Sequence, residues 1–200
     1  MTLSASEILR PAVQQQRADF IESHQHELPA VDLVFIDECG SNTNLCRTHG
    51  RAPAGERVRG HRPVNRGTNQ TVVGAITLTG MLEHTVYDGA MTKARFVEWV
   101  TTRLAPKLRA GNVVILDNLR AHHAPEAIDA IERTGACVLH LPPYSPDLNP
   151  IEPGWSKLKA HVRSVGARTV EDLRAAIDVG IQRITASDCR GWFRHCQWLK

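Results

Sequence analysis

Runs of apolar residues and their spacing divide the chain into alternating elements. Residues from about Ser4 to His26 carry a helical pattern that stops near Leu28-Pro29, and the short apolar run from Asp32 to Glu38 then reads as a buried strand. Gln70 to Leu78 and Met81 to Tyr87, rich in β-branched residues and joined through Thr79-Gly80, predict a hairpin. Thr92 is placed to cap a helix whose stripe is Phe96, Val100, Leu104 and Leu108, closed by Gly111 before a strand over Asn112 to Leu116. Pro125 opens a helix to about Arg133, and Cys137 to Leu141 supplies a last strand. Two helices follow over roughly Pro150–Val165 and Val170–Ile184, with a short one around Trp192 and Phe193.

Three early strands, two further strands each preceded by a helix, and closing helices describe one α/β sheet of five strands. A mixed sheet with helices on both faces, of ribonuclease H-like type, is the expected fold. The expected organisation is a helical segment at 1–30, read as a linker remnant, and a single domain at 31–200.

Composition narrows the class. With 42% hydrophobic and 22% charged residues, disordered and fibrous chains are excluded. No apolar stretch approaches the roughly 20 residues that span a bilayer, and the N-terminus lacks the basic start and apolar run of a signal peptide, so no membrane partner and a cytoplasmic location are expected. Five cysteines without a C-x-x-C pair point to reduced thiols rather than a disulfide framework or a zinc ribbon.

The net charge of +3 is small but unevenly spread. Six arginines against Glu56 alone lie between Arg47 and Arg66, and Lys157, Lys159, Arg163 and Arg168 follow Glu152 with no acid among them to residue 170. A solvated surface explains either patch alone. Their value depends on three acids between them.

Asp37 ends the run VDLVFIDE and Asp117 ends NVVILDN, so each is expected at the C-terminal end of a strand, where open α/β sheets place ligands. Neighbouring strands would bring the two carboxylates together. Glu152, in PPYSPDLNPIE, reads first as a capping box, with Asn149 as N-cap, Pro150 in the first turn and the acid at the third helical position. A carboxylate at a helix start is also favoured in its charged form, which a metal ligand requires. The helix after it has an apolar stripe of Ile151, Trp155, Leu158, Val162 and Val165, while Ser156, Lys159 and Arg163 line up with Glu152 on the other side. An acid and two cations on one exposed face suit a phosphate backbone. Arg57, Arg59 and Arg62 of the arginine-rich loop join Lys159 and Arg163 as candidate DNA contacts.

Three further positions are weighed. Glu38 should point away from Asp37 by strand alternation. Asn118 and His122 are candidates to orient ligands or contact DNA, against the equally economical roles of a turn-forming Asn and a loop His.

The segments VFIDECGSNT, VVILDNLRAHH and LPPYSPDLNPIEPGWSKLK together resemble the catalytic domain of the Tc/mariner superfamily of DDE transposases, in its bacterial insertion-sequence branch, over roughly Val31 to Ile184. Asp117 and Glu152 are separated by 34 residues, the interval of that superfamily's DDE form. The resemblance implies that Asp37, Asp117 and Glu152 form a catalytic triad. Three such carboxylates can hold two hard cations, Mg²⁺ or Mn²⁺, for an in-line displacement at phosphorus. It further implies double-stranded DNA as partner, both transposon ends and target, with water cleaving the end and the freed 3′-hydroxyl attacking the target. A homodimer is expected because two ends must be joined. The helix-turn-helix modules of complete relatives do not fit in residues 1–30, so a separate DNA-binding half is an expected partner. Cys39 stands where a small hydroxyl residue is expected in relatives, a change that removes no ligand. Two other readings remain open: a non-catalytic DNA-binding or regulatory remnant, and a ribonuclease H-like nuclease.

Overall fold

The computed structural model describes residues 6–25 and 27–199. Five strands, β1 (Leu33–Ser41), β2 (Gln70–Thr77), β3 (Gly80–Asp88), β4 (Val113–Leu116) and β5 (Cys137–His140), form one sheet in the order β3-β2-β1-β4-β5. The hairpin and β1 pair antiparallel, whereas β4 and β5 add in parallel. Parallel strands require crossovers, and these are the helices α2 (Lys93–Trp99) and α3 (Pro125–Glu132). Thr92 caps α2 by accepting from the Arg95 amide, as its position in the sequence foretells. Beyond Trp99 the helix loosens into a π turn over Val100–Leu104 and a 3-10 turn over Ala105–Lys107.

Strand alternation sorts the core into two layers. Leu33, Phe35 and Cys39 of β1 face α4 (Ile151–Val165), α5 (Val170–Gln182) and α6 (Ala186–His195), while Val34 and Ile36 face α2 and α3. Helices thus cover both faces. The fold class expected from the sequence is the one observed, a mixed five-stranded α/β sheet.

Several boundaries shift. The N-terminal helical pattern resolves into a 3-10 turn at Ser6–Leu9, α1 (Pro11–Phe20) and a π turn at Ile21–Gln25; its expected ends at Ser4 and His26 lie outside the described residues. Phe20 enters the core against Trp198, so α1 is docked on the sheet layer. The stripe of α4 holds for Ile151, Trp155, Leu158 and Val162 but not for Val165, which is exposed. Gly166, left-handed at φ 67°, ends the helix there, and Val165 falls on the turn that leaves the core. All five cysteines are free, and among the described residues no helix is long and apolar enough to cross a membrane.

Candidate metal centre

Because β1 and β4 are adjacent and parallel, with Phe35 opposite Ile115, Asp37 and Asp117 stand two residues further along their neighbouring chains. β4 ends at Leu116, so Asp117 leaves the sheet as expected. Asp37 does not sit at a strand end. β1 runs on to Ser41 because β2 continues to pair with it, and Asp37 lies opposite Gly74. The two carboxylates still meet where β4 stops. Glu152 joins them from the first turn of α4, and all three line one cleft of about 440 Å³.

Each carboxylate is held differently. Asp37 is 9% exposed; its Oδ1 accepts from the Glu38 amide at 2.7 Å and its Oδ2 from the Trp155 indole N–H at 3.2 Å. Burial, then the negative charge of Glu152, pushes its carboxyl up to about 8, and Glu38 and Asp117 add to the rise against the opposing Glu38 amide. The indole can approach only because Gly74 has no side chain: a Cβ there would stand 2.7 Å from Trp155 Cη2.

Asp117 Oδ1 accepts from the Leu119 amide at 2.9 Å and from His122 Nδ1 at 2.6 Å. Burial acts to raise its carboxyl, but these bonds and the imidazolium charge prevail and hold it below the usual range. The Oδ2 atom keeps its lone pairs free of hydrogen bonds from the described residues. His122 is fully buried and bridges Asp117 to Glu38, with Nε2 to Oε1 at 2.9 Å. Burial favours its neutral form, but the two carboxylates outweigh it and raise it to about 10. It is therefore an imidazolium at neutral pH and donates through both nitrogens. Glu38 does point away from Asp37, as alternation requires, and does so to reach this histidine.

The capping box at Glu152 does not form. Pro150, in helical conformation, occupies the N-cap without a side-chain cap, and buried Asn149 leaves its Oδ1 without a partner. Nor does the helix start keep Glu152 easily ionised. Burial raises its carboxyl, the Lys159 ammonium pulls it back and Asp117 pushes it up again. Lys159 is half-buried rather than on an open face and also lies beside the Cys39 thiol, which burial nevertheless lifts to about 11.

The other candidates are placed as follows. Arg57, Arg59 and Arg62 are exposed in the loop 42–69, away from any regular element. Arg163 is half-buried on α4. Two cations of the second basic patch are structural: Lys157 pairs with Asp188 at 2.6 Å, and Arg168 donates to the carbonyls of Thr43 and Leu45, at the base of the arginine-rich loop. Asn118 borders the cleft and donates through Nδ2 to the Leu141 carbonyl, which ties the Asp117 turn to the proline-rich segment. Trp155, read from the sequence as core, is core at 2% exposed and also the donor that orients Asp37. Arg17 carried no signal in the sequence, yet its guanidinium grips both oxygens of Asp147 at 3.0 and 2.6 Å and Ser145 Oγ at 2.6 Å, fixing the cleft's proline-rich wall to α1.

Among the described residues, no group of three or more His, Cys, Asp or Glu side chains is gathered closely enough to hold a metal ion as it stands. The donor set nonetheless fits hard divalent cations. It offers carboxylate oxygens only; burial, with a smaller part from their mutual repulsion, raises Asp37 and Glu152, and a cation between them offsets that repulsion.

The fold has close counterparts among solved structures. The Mos1 transposase paired-end complex with left transposon end matches at a TM-score of 0.75 and 15% identity, covering 99% of this chain and 63% of that one. A pre-cleavage Mos1 transpososome matches at 0.69 and 15%, covering 93% and 59%. The catalytic domain of Mos1 mariner transposase matches at 0.65 and 14%, covering 99% and 94%. The chain thus spans about three-fifths of the longer Mos1 chains and nearly the whole of the catalytic domain. No curated protein matches it in sequence. The family model described as DDE superfamily endonuclease matches residues 32–174, well over half of the chain, which therefore belongs to the DDE superfamily of endonucleases.

Proposed function

We propose that this chain is a transposase catalytic domain that cleaves DNA at transposon ends and transfers the freed strand to a target. The observation that carries the reading is the meeting of Asp37, Asp117 and Glu152, from adjacent parallel strands and a helix start, in one cleft. The run LPPYSPDLNPIEPGW supports the finer placement in the bacterial insertion-sequence branch of the Tc/mariner group. The Mos1 structures include paired-end complexes with Mn and with Mg, and a strand transfer complex.

Asp37, Asp117 and Glu152 would hold two Mg²⁺ or Mn²⁺ ions. When bound, such ions activate the attacking oxygen and stabilise the leaving oxygen of an in-line displacement. The protein's own part is orientation and charge. The Trp155 N–H and the Glu38 amide fix both oxygens of Asp37, and His122 with the Leu119 amide fixes one oxygen of Asp117, leaving Oδ2 to ligate. Lys159 offsets the negative charge at Glu152. In the first step water displaces the 3′-oxygen at the transposon end; in the second that 3′-hydroxyl attacks a target phosphodiester and displaces the target strand's own 3′-oxygen, which leaves as a hydroxyl. No covalent link to the protein is needed.

Arg57, Arg59 and Arg62, with Arg163, are proposed to follow the DNA backbone, whose contacts position without reading sequence. The proposed assembly is a homodimer on two DNA ends, with end recognition supplied by a helix-turn-helix portion. A strand-transfer assay on pre-cleaved ends with Mg²⁺ tests the reading. Wild type should join ends to target, and Asp117→Asn should not. Equal inertness of both, with a DNA-binding half supplied, overturns the enzyme and leaves the non-catalytic DNA-binding reading.

A further inference from the structure

Among the described residues, no lysine or arginine lines the carboxylate cleft. Half of its wall is instead apolar, and two of those side chains, Leu119 and Tyr144, are exposed at 46% and 44%. Leu119 follows Asp117 by two residues and donates its amide to that carboxylate. Tyr144 stands on the proline-rich segment and has φ 56°, a left-handed backbone that a bulky aromatic residue rarely takes. Strain of this kind persists only where the surroundings enforce it. Here Arg17 does so, through Ser145 Oγ and Asp147, while Ser145 Oγ donates to the Pro143 carbonyl at 3.1 Å and Trp198 Nε1 to the Leu148 carbonyl at 2.7 Å. The residue stays 44% exposed, and its hydroxyl has no hydrogen bond with a described residue.

A strained, anchored and exposed aromatic beside three carboxylates has the features of a ligand platform. A phosphate would be carried by cations at the carboxylates, so the apolar wall is left for another part of the nucleotide. The part with an apolar face is the base. Stacking on an aromatic ring is how proteins hold unstacked bases, whatever their sequence. We infer that Tyr144, with Leu119 on the wall of the same cleft, forms a subsite for a nucleobase displaced from the helix beside the reacting phosphate. The inference rests on the transposase reading, since it needs DNA in the cleft.

The test uses the full chain and a 30-base-pair duplex with a single-nucleotide 3′ overhang of 5-iodouracil, in Ca²⁺. Irradiation should crosslink the overhang base to Tyr144. Tyr144→Phe should bind the probe like wild type, whereas Tyr144→Asn, whose side chain tolerates left-handed backbone, should bind it roughly 10-fold or more weakly. The blunt duplex should bind all three equally, and the thermal midpoint of Tyr144→Asn should not fall. A crosslink mapping elsewhere, or Tyr144→Asn binding the overhang like wild type, overturns the subsite. Mg²⁺-dependent strand transfer of pre-cleaved ends by wild type, with a DNA-binding half supplied, reads the underlying chemistry separately. Without strand transfer the transposase reading falls and takes the subsite with it; with strand transfer and a Tyr144→Asn that binds the overhang like wild type, the subsite alone falls.

Discussion

Asp37→Asn should make the metal-free protein more stable at neutral pH. In the folded chain the Asp37 carboxyl is raised from 3.8 to about 8 by burial and by Glu152. A raised carboxyl contributes stability that is fully present below about 3.8 and lost as pH rises through about 8. At pH 7 the denatured chain is favoured by roughly 3 pH units at about 1.4 kcal/mol each, on the order of 4 kcal/mol. Asparagine carries no charge to desolvate, but its single oxygen can satisfy only one of the Glu38 amide and the Trp155 N–H, a loss of about 1 kcal/mol. The net gain is about 3 kcal/mol, or roughly 6–12 °C in Tm for a chain of this size. Melts in EDTA from pH 4 to 8.5 should show the variant ahead at pH 7 and its advantage gone near pH 4. Adding Mg²⁺ should raise the wild-type midpoint and leave the variant unmoved, because the cation replaces the missing proton. If Asp37→Asn melts at or below wild type at pH 7 in EDTA, the carboxylate is not strained and the reasoning is wrong.

Three further outcomes follow from the same contacts. His122→Asn should destabilise by about 2–3 kcal/mol by leaving Glu38 and Asp117 unpaired, and because His122 is raised to about 10, the gap measured by urea melts should be full below about pH 6.5 and close as pH rises through 10. Gly74→Ala should cost about 1–3 kcal/mol by driving a methyl into Trp155, and it should shift indole emission and weaken metal-dependent cleavage; Trp155→Phe should weaken cleavage with the smaller stability loss. Arg17→Ala should cost about 1 kcal/mol globally, since Asp147 is largely exposed, yet speed hydrogen exchange at the Leu148 and Asn149 amides on the wall that Arg17 anchors.

The fold, and the meeting of the three acids in one cleft, were legible because both are written locally. Apolar runs ending in Asp37 and Asp117 encode strands, and the PPYSPDLNPIE run encodes a stiff entry to a helix. What positions the acids was not legible. Trp155 meets Asp37 across 118 residues, His122 meets Glu38 across 84, and Arg17 meets Asp147 across 130, and no local periodicity reports such pairings. Gly74 could be read as a weak spot in a strand, but its purpose shows only once the indole lies over it. Glu152 was misread in one respect for a local reason. Pro150 takes helical angles at the N-cap, so Asn149 sits one residue too early to cap, and the charge of Glu152 is governed by burial and Lys159 instead. Lys159 itself followed the helical register correctly, but register alone does not tell a half-buried cation beside a thiol from one in open solvent.

Mn²⁺ binding followed by electron paramagnetic resonance tests the central claim, one cation site built by three carboxylates, most directly. Wild type should take up two Mn²⁺ per chain with DNA present, and Asp37→Asn, Asp117→Asn and Glu152→Gln should each lose that uptake while remaining folded. Unchanged Mn²⁺ uptake in any one of the three would contradict it.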